Sequence, residues 1–418
     1  MSSIFKQSSW LFLAQSFARA IGFLYTIFLA RNLGPDQFGL FSAAVAFFAL
    51  LSVFGEFGFN RFLTREIARD RENSATYLAN VTVFRIILTS ALFVGVASYL
   101  YLFDPDKIRA NLTILALLAI FPVALAQTVD ACFVAIQKLQ YSAIALLFTS
   151  VFTTLLGFLL VSLDFGPTGP VLALIFGQVI YFLILFAMLR SQKLKVFSKI
   201  QFSTIKKALV GSLPYGILGV LGMLYFRIDT VLLSYLRGNF ETGIYSAAYK
   251  FLETAVLVPS SISLAIFPVM VKLHETDHLS LKKLYRKVIL ITFSLGVIGA
   301  LVYFYILPVL ILWLLPSYNS SSEVIQILAL TIPFMFVQVT ASQVLLTSDK
   351  NLKALMLITF VLLAFNLILN LIFIPQFGFL AAAWVTVISD IFAALLVLSY
   401  LELSFFRPKD DKPLAYKK

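Results

Sequence analysis

Seven ionisable residues lie inside stretches of this chain that are otherwise apolar: Arg19, Arg85, Arg227, Asp229, Lys250, Glu253 and Asp390. A charge held in an apolar layer costs at least about 2.5–3.5 kcal/mol, so such groups face an interior or a wet passage and usually serve function. Arg19 sits about 15 Å into its segment at 1.5 Å per helical residue, too deep to snorkel. Arg85 is about 9 Å from the nearer end by the same rise, so both a snorkelling and a cavity-lining role stay open. Arg227 and Asp229 are two apart, point to different faces of a helix and do not form a pair. Lys250 and Glu253 are three apart and can pair, either as a structural bridge or as part of a site. Asp390 has no partner nearby in sequence and is the best candidate for a proton-titrating group. Glu56 and Asp130 fall near segment ends, where water reaches them. Deep cations suit an anionic ligand, and Arg in particular makes two-pronged bonds to phosphate. We therefore expect Arg19, Arg85, Arg227 and Lys250 to bind substrate, and Asp390, Glu253 and Asp229 to couple an ion.

Two literal motifs carry less. His274-Glu275-Thr276-Asp277-His278 matches the zinc-protease pattern. A catalytic zinc needs a third protein ligand, and these are the only 2 His in the chain. The reading is a polar loop, with no metal and no cofactor. Asp104-Pro105-Asp106 resembles the paired acids of lipid-linked glycosyltransferases, but its loop is only about eight residues long, an ordinary connection. Turn chemistry around Pro105 explains it.

The elements that must position the seven charges are membrane spans. Of the 418 residues 61% are hydrophobic and only 12% charged, which excludes a soluble globular domain. Apolar runs such as 354–374, broken only by Thr359, Asn366 and Asn370, show no period of two, so the spans are helices and not barrel strands. At about 20 residues per span there are about twelve: 9–30, 38–59, 79–103, 111–136, 142–163, 169–190, 208–234, 243–270, 288–315, 321–347, 353–374 and 378–404. The first run is too long for a signal peptide and reads as a span. Pro122, Pro214, Pro259, Pro268, Pro308 and Pro333 are candidate bends. Cys132 is the single cysteine, so no disulfide forms within the chain.

Charge gives the orientation. Alternate breaks hold Lys6, then Arg61, Arg65, Arg69 and Arg71, then Lys138, then a cluster from Arg190 to Lys207, then Lys272 to Lys287, then Lys350 and Lys353, then Arg407 to Lys418. The other breaks hold only Arg31, Lys107, Arg109 and Arg237. This bias predicts a multi-pass protein of the plasma (inner) membrane with both termini cytoplasmic. The net charge of +12 then reflects orientation and anionic lipid, not nucleic acid.

Residues 34–47 repeat at 238–251: Gly34, Gly39, Ser42, Ala43, Ala44 and Phe47 recur as Gly238, Gly243, Ser246, Ala247, Ala248 and Phe251. An even number of spans separates the copies. Two six-helix bundles related by a pseudo-two-fold along the membrane normal follow: 1–190, a basic linker 191–207, 208–406, and a cytoplasmic tail 407–418.

The stretch from Ala30 to Ala44, together with Arg227-Ile-Asp-Thr-Val-Leu-Leu233 and Gly243-Ile-Tyr-Ser-Ala-Ala-Tyr-Lys250, resembles Wzx-type polysaccharide-biosynthesis flippases of the multidrug/oligosaccharidyl-lipid/polysaccharide exporter superfamily. The resemblance implies a transporter, not an enzyme. It would flip a polyprenyl-diphosphate-linked oligosaccharide from the cytoplasmic to the outer leaflet by alternating access, for cell-surface polysaccharide such as O-antigen. An intramembrane Arg matching Arg19 would hold the diphosphate. Partners implied are the lipid-linked saccharide, membrane lipid, a polysaccharide polymerase and glycosyltransferases. The rivals are a cation-coupled multidrug antiporter of the same superfamily, a saccharide polymerase or ligase, and a membrane scaffold. The chain carries no phosphate-binding loop for ATP, so direct ATP coupling is not expected.

Overall fold

The computed structural model describes residues 2–192, 198–347 and 351–406, with side chains from residue 10 onward. Lys193, Lys195, Lys350 and the tail 407–418, which enter the orientation argument, lie outside the described residues, as does the side chain of Lys6.

Among the described residues every regular element is helical. In chain order they are α1 (Ser2–Glu56), α2 (Phe59–Arg69), α3 (Ser74–Phe103), α4 (Lys107–Leu117), α5 (Ile120–Ala135), α6 (Leu139–Ser162), α7 (Thr168–Ser191) and α8 (Phe202–Leu236). There follow α9 (Asn239–Ala255), α10 (Leu257–Thr276), α11 (His278–Tyr305), α12 (Leu307–Leu314), α13 (Asn319–Ala329), α14 (Ile332–Leu345) and α15 (Leu352–Tyr400), which runs into a π turn, Leu401–Phe405. In a layer without water each backbone group must find a protein partner, and a helix supplies it within its own segment.

Nine described segments are long and apolar enough to cross a membrane, and the pair α13 and α14, bent by 51°, makes a tenth. Two of the nine far exceed one crossing, at 60 and 54 residues. A glycine departs from helix inside the long helix of each, Gly34 at φ 71° in α1 and Gly378 at φ 59° in α15, and Gly58 at φ 76° separates α1 from α2 in the first. Gly34 and Gly378 fall in or at the edge of the breaks expected between 9–30 and 38–59 and between 353–374 and 378–404. The Glu241 carboxylate accepts from the Phe379 backbone N–H at 3.0 Å, capping the helix that resumes after Gly378.

Four other helix breaks precede a proline by two to four residues: those at Leu118–Ala119, Val256, Ile306 and Leu330–Thr331, ahead of Pro122, Pro259, Pro308 and Pro333. A proline lacks the N–H and presses its ring on the carbonyl four residues back, so the ladder opens there. Pro214 and Pro268 lie inside continuous helices.

The outer surface carries large apolar side chains that would be costly in water, such as Trp313 at 74% exposure, Phe103 and Leu290. The largest interior cluster joins residues distant in sequence: Tyr25, Leu29 and Phe38 from α1, Ile244, Tyr245 and Ala248 from α9, and Tyr318. The repeated segments meet within it. A Cβ on Gly39 would overlap the Asn239 carbonyl, and one on Gly243 would overlap the Pro35 carbonyl. The Tyr318 hydroxyl donates to the Ala30 carbonyl at 2.9 Å. Gly34 and Gly238 both hold positive φ with extended ψ, the conformation that starts each second helix.

The acidic turn after α3 belongs to this junction. Asp104 pairs with Arg109 at 2.6 Å, and Arg109 reaches the Ser234 carbonyl and lies over the Tyr235 ring. Asp106 caps α4 and accepts from the Asn239 amide at 2.8 Å. Burial works against its charge, yet the Arg109 backbone N–H and the Asn239 amide hold its carboxyl below the usual range. At the opposite end α2 packs on α8, where Lys207 meets Glu66 at 2.5 Å.

The zinc-like pentapeptide is split by a helix break. His274 lies in the last turn of α10 and His278 begins α11, while Asp277 between the helices accepts from the Leu279 and Ser280 N–H groups. The two rings lie 4.8 Å apart, with Phe405 beside both. Among the described residues no group of three metal-ligating side chains forms.

Candidate functional site

Three cavities adjoin one another around a single carboxylate, Glu253. The first, about 330 Å³, lies between α1, α8, α9 and α10 and is lined by Arg19, Lys250, Glu253, Thr254 and Ser260 among others. It sits where the helix ladder opens at Val256. The second, about 80 Å³, is lined by Arg227, Thr230, Ser246, Lys250 and Glu253. The third, about 390 Å³, lies among α8, α9, α14 and α15 and holds Asp229, Glu253, Gln338, Ser342, Asn366 and Asp390.

Glu253 joins two cations. Its Oε1 is 2.7 Å from an Arg227 terminal nitrogen and its Oε2 is 2.8 Å from Lys250 Nζ. The Arg227 Nε–H is buried without an acceptor among the described residues. Arg19 projects into the first cavity, exposed and with no hydrogen-bond or ion-pair partner among the described residues. Two cations thus bond one carboxylate, and Arg19 lines the first cavity together with that carboxylate and Lys250. The wall there combines Phe23, Phe226 and Leu257 with Thr254 and Ser260, and its two cations outnumber its one carboxylate, which favours an anion.

Arg85 lies elsewhere. It is 1% exposed and borders none of these three cavities. Its guanidinium donates to the Gly55 carbonyl at 3.3 Å, Asn60 Oδ1 at 3.1 Å, Thr128 Oγ1 at 2.9 Å and Gln127 Oε1 at 2.6 Å. Four of its five donors are taken by fixed neutral acceptors, so the side chain does not snorkel. Glu56 likewise has a local task, accepting from the Gly58 and Asn60 N–H groups at the start of α2.

Asp229 and Asp390 share the third cavity but not their partners. Asp229 accepts from Asn370 Nδ2 at 2.6 Å and lies 3.2 Å from both the Tyr245 and Thr386 hydroxyls. Asp390 accepts from the Tyr225 hydroxyl at 2.7 Å and the Thr331 hydroxyl at 2.6 Å. Asn370 also donates to Asn366 Oδ1 at 2.9 Å, and its own Oδ1 is buried with no donor among the described residues. A carboxylate beside an unsatisfied amide oxygen can hold a proton or a small cation. Sequence reading passed over Tyr225, Tyr245, Thr331 and Thr386 as partners. The one available signal was Asn366 and Asn370, four apart on one face of an apolar helix.

With this geometry in view, the comparisons are informative. The family described as "Polysaccharide biosynthesis protein" matches residues 4–274. The chain belongs to that family. A second family, MatE, matches residues 214–372. "Capsular polysaccharide biosynthesis protein CapF" of Staphylococcus aureus is 20% identical over 408 residues, covering 96% of this chain and 100% of that protein. "Probable flippase AglR" of Haloferax volcanii is 27% identical over 195 residues, 43% of this chain and 38% of that protein. Among solved structures, an inward-facing multidrug resistance MATE family transporter superposes with TM-score 0.75 at 16% identity, covering 94% of this chain and 96% of its own. "Lipid II flippase MurJ, inward closed conformation" gives 0.74 at 19% identity, covering 94% and 87%. The chain therefore shares the fold of these multidrug and lipid II transporter structures, and its described residues form an all-α, multi-pass membrane protein.

Proposed function

We propose that this transporter flips a polyprenyl-diphosphate-linked oligosaccharide from the cytoplasmic to the outer leaflet of the plasma membrane. The observation that carries the reading is that Glu253, paired with Arg227 and Lys250, borders both the cavity that Arg19 lines and the adjoining one that Arg227 lines, with Lys250 in both. These three cations hold the diphosphate, and the isoprenoid stays in lipid. Arg85 has no part in binding. Asp229 and Asp390 couple a proton or cation through the third cavity.

The layout is twelve spans, α1 and α15 each counting as two about Gly34 and Gly378. They divide into bundles 1–190 and 208–406 joined by the basic linker, with both termini cytoplasmic. The reciprocal packing of Gly39 and Gly243 supports a pseudo-two-fold between the bundles. A polymerase and glycosyltransferases work on the same saccharide before and after the flip.

The test is complementation of a strain lacking its oligosaccharide flippase. Restored surface glycan with the wild type and its loss with Arg19→Ala, at equal protein level, supports the reading; full activity of Arg19→Ala removes it. A second reading, a cation-coupled multidrug antiporter, draws on the MatE match and on the three carboxylates of the third cavity. Increased drug susceptibility of a deletion strain, with intact surface glycan, would favour it.

A further inference from the structure

Glu253 stands where a substrate phosphate would stand. Its two oxygens bridge a guanidinium on α8 and an ammonium on α9, at 2.7 and 2.8 Å. It is also shared by all three cavities. A carboxylate so placed weakens the pull of Arg227 and Lys250 on any other anion, because a ligand must displace it to reach them.

We propose that Glu253 is a built-in competitor that sets the charge threshold for entry. This rests on the diphosphate reading above and adds its selectivity device. An uncovered group of three cations opening to lipid would trap ordinary anionic phospholipid headgroups, which vastly outnumber any carrier-linked sugar. Glu253 lowers the affinity for every anion alike. A phosphodiester, with one charge and one phosphorus, gains too little to expel it. A diphosphate gains more, since it can engage Arg19, Arg227 and Lys250 together, and the Arg227 Nε–H supplies a donor not taken by Glu253. No bond is made or broken; one anion replaces another.

The displaced carboxylate has a place to go. The third cavity, on the other side of Glu253, holds Asp229 and Asp390 with Gln338 and Ser342, whose hydroxyl is buried without a partner among the described residues. Glu253 already borders that cavity, and turning it further inward, away from Arg227 and Lys250, leaves its charge uncompensated beside Asp229 and Asp390. Filling the first cavity therefore strengthens cation uptake in the third, and by linkage the cation strengthens substrate binding.

The experiment uses the full chain in phosphatidylcholine nanodiscs, with geranylgeranyl diphosphate and phosphatidylglycerol as probes and binding read by native mass spectrometry. The wild type is expected to take the diphosphate and to ignore phosphatidylglycerol. Glu253→Gln is expected to bind the diphosphate about tenfold tighter and to acquire phosphatidylglycerol, since the competitor is gone and the cations remain. Unchanged or weaker diphosphate binding in a folded E253Q, with the wild type binding and Arg19→Ala impaired, overturns the competitor role and leaves the diphosphate reading standing. Absence of diphosphate binding in both wild type and E253Q overturns the two together. Thermal melting accompanies each sample. If E253Q does not fold, Glu253→Ala is measured in its place with Glu253→Asp beside it, and tighter binding by the alanine variant alone is expected. Unfolding of all three variants would make Glu253 a structural bridge and sink the proposal.

Discussion

Gly39 and Gly243 pack against each other's helix starts in a reciprocal contact. Gly39 lies under the Asn239 carbonyl and Gly243 under the Pro35 carbonyl. The two contacts carry one offset, 204 residues (239 less 35, 243 less 39). A pair of contacts that exchange under the sequence repeat is what a two-fold axis between the copies requires. The glycines are therefore retained by close backbone approach at the junction and not by turn geometry.

Adding one methyl here forces backbones apart. Gly39→Ala or Gly243→Ala is expected to cost about 1–3 kcal/mol, as overpacking of a tight contact does. The readout is a lowered melting temperature in detergent, together with increased thiol labelling of a cysteine placed at Ser320, an exposed site next to Ser321, whose hydroxyl bonds the Ile244 carbonyl. A variant that melts and labels like the wild type would show that the junction is loose.

Arg19 and the pair Arg227–Lys250 contribute differently. Arg19→Ala should abolish glycan export while leaving protein level and melting unchanged, because no described side chain relies on it. Arg19→Lys should restore activity only in part, since an ammonium lacks the two-pronged geometry. Complementation at matched expression distinguishes the three proteins.

Arg85→Ala should behave as a stability variant. Each acceptor left dry by its removal costs about 1–3 kcal/mol, and the costs do not simply add. Protein yield and melting temperature should fall sharply. Diphosphate binding per folded molecule should remain near wild type. Selective loss of binding with normal melting would return Arg85 to the substrate site.

Asp229→Asn and Asp390→Asn keep shape and remove charge. Both should leave diphosphate binding close to wild type and stop transport driven by an imposed ion gradient in proteoliposomes. Running the assay with a proton gradient and then with a sodium gradient identifies the coupling ion. Undiminished gradient-driven transport by both variants would exclude these carboxylates from coupling.

Much of this arrangement was legible in the chain because hydropathy and charge act locally. Runs of about 20 apolar residues name spans wherever they fold. Proline marked four of the helix breaks through its missing N–H, while Pro214 and Pro268 showed that neighbours can restore a continuous helix. The Lys250–Glu253 spacing put the two side chains within reach before any packing was known. The bonding of Arg85 was not legible, for a physical reason. Burial of a charge is visible in sequence, but the acceptors that satisfy it come from residues 55, 60, 127 and 128, and only folding assembles them.

Sequence by itself determined that the chain is a helical membrane protein with an internal repeat and with rare, deep charges, because the energetic rule against charge in lipid applies residue by residue. Which of those charges share water was decided by tertiary structure alone. Arg227 and Glu253 sit on different helices, 26 residues apart (253 less 227), and Arg19 lines from α1 a cavity that Glu253 and Lys250 also border. Electrostatic interaction falls with distance in space, not along the chain, so this grouping of cations near one carboxylate exists only once α1, α8 and α9 have packed.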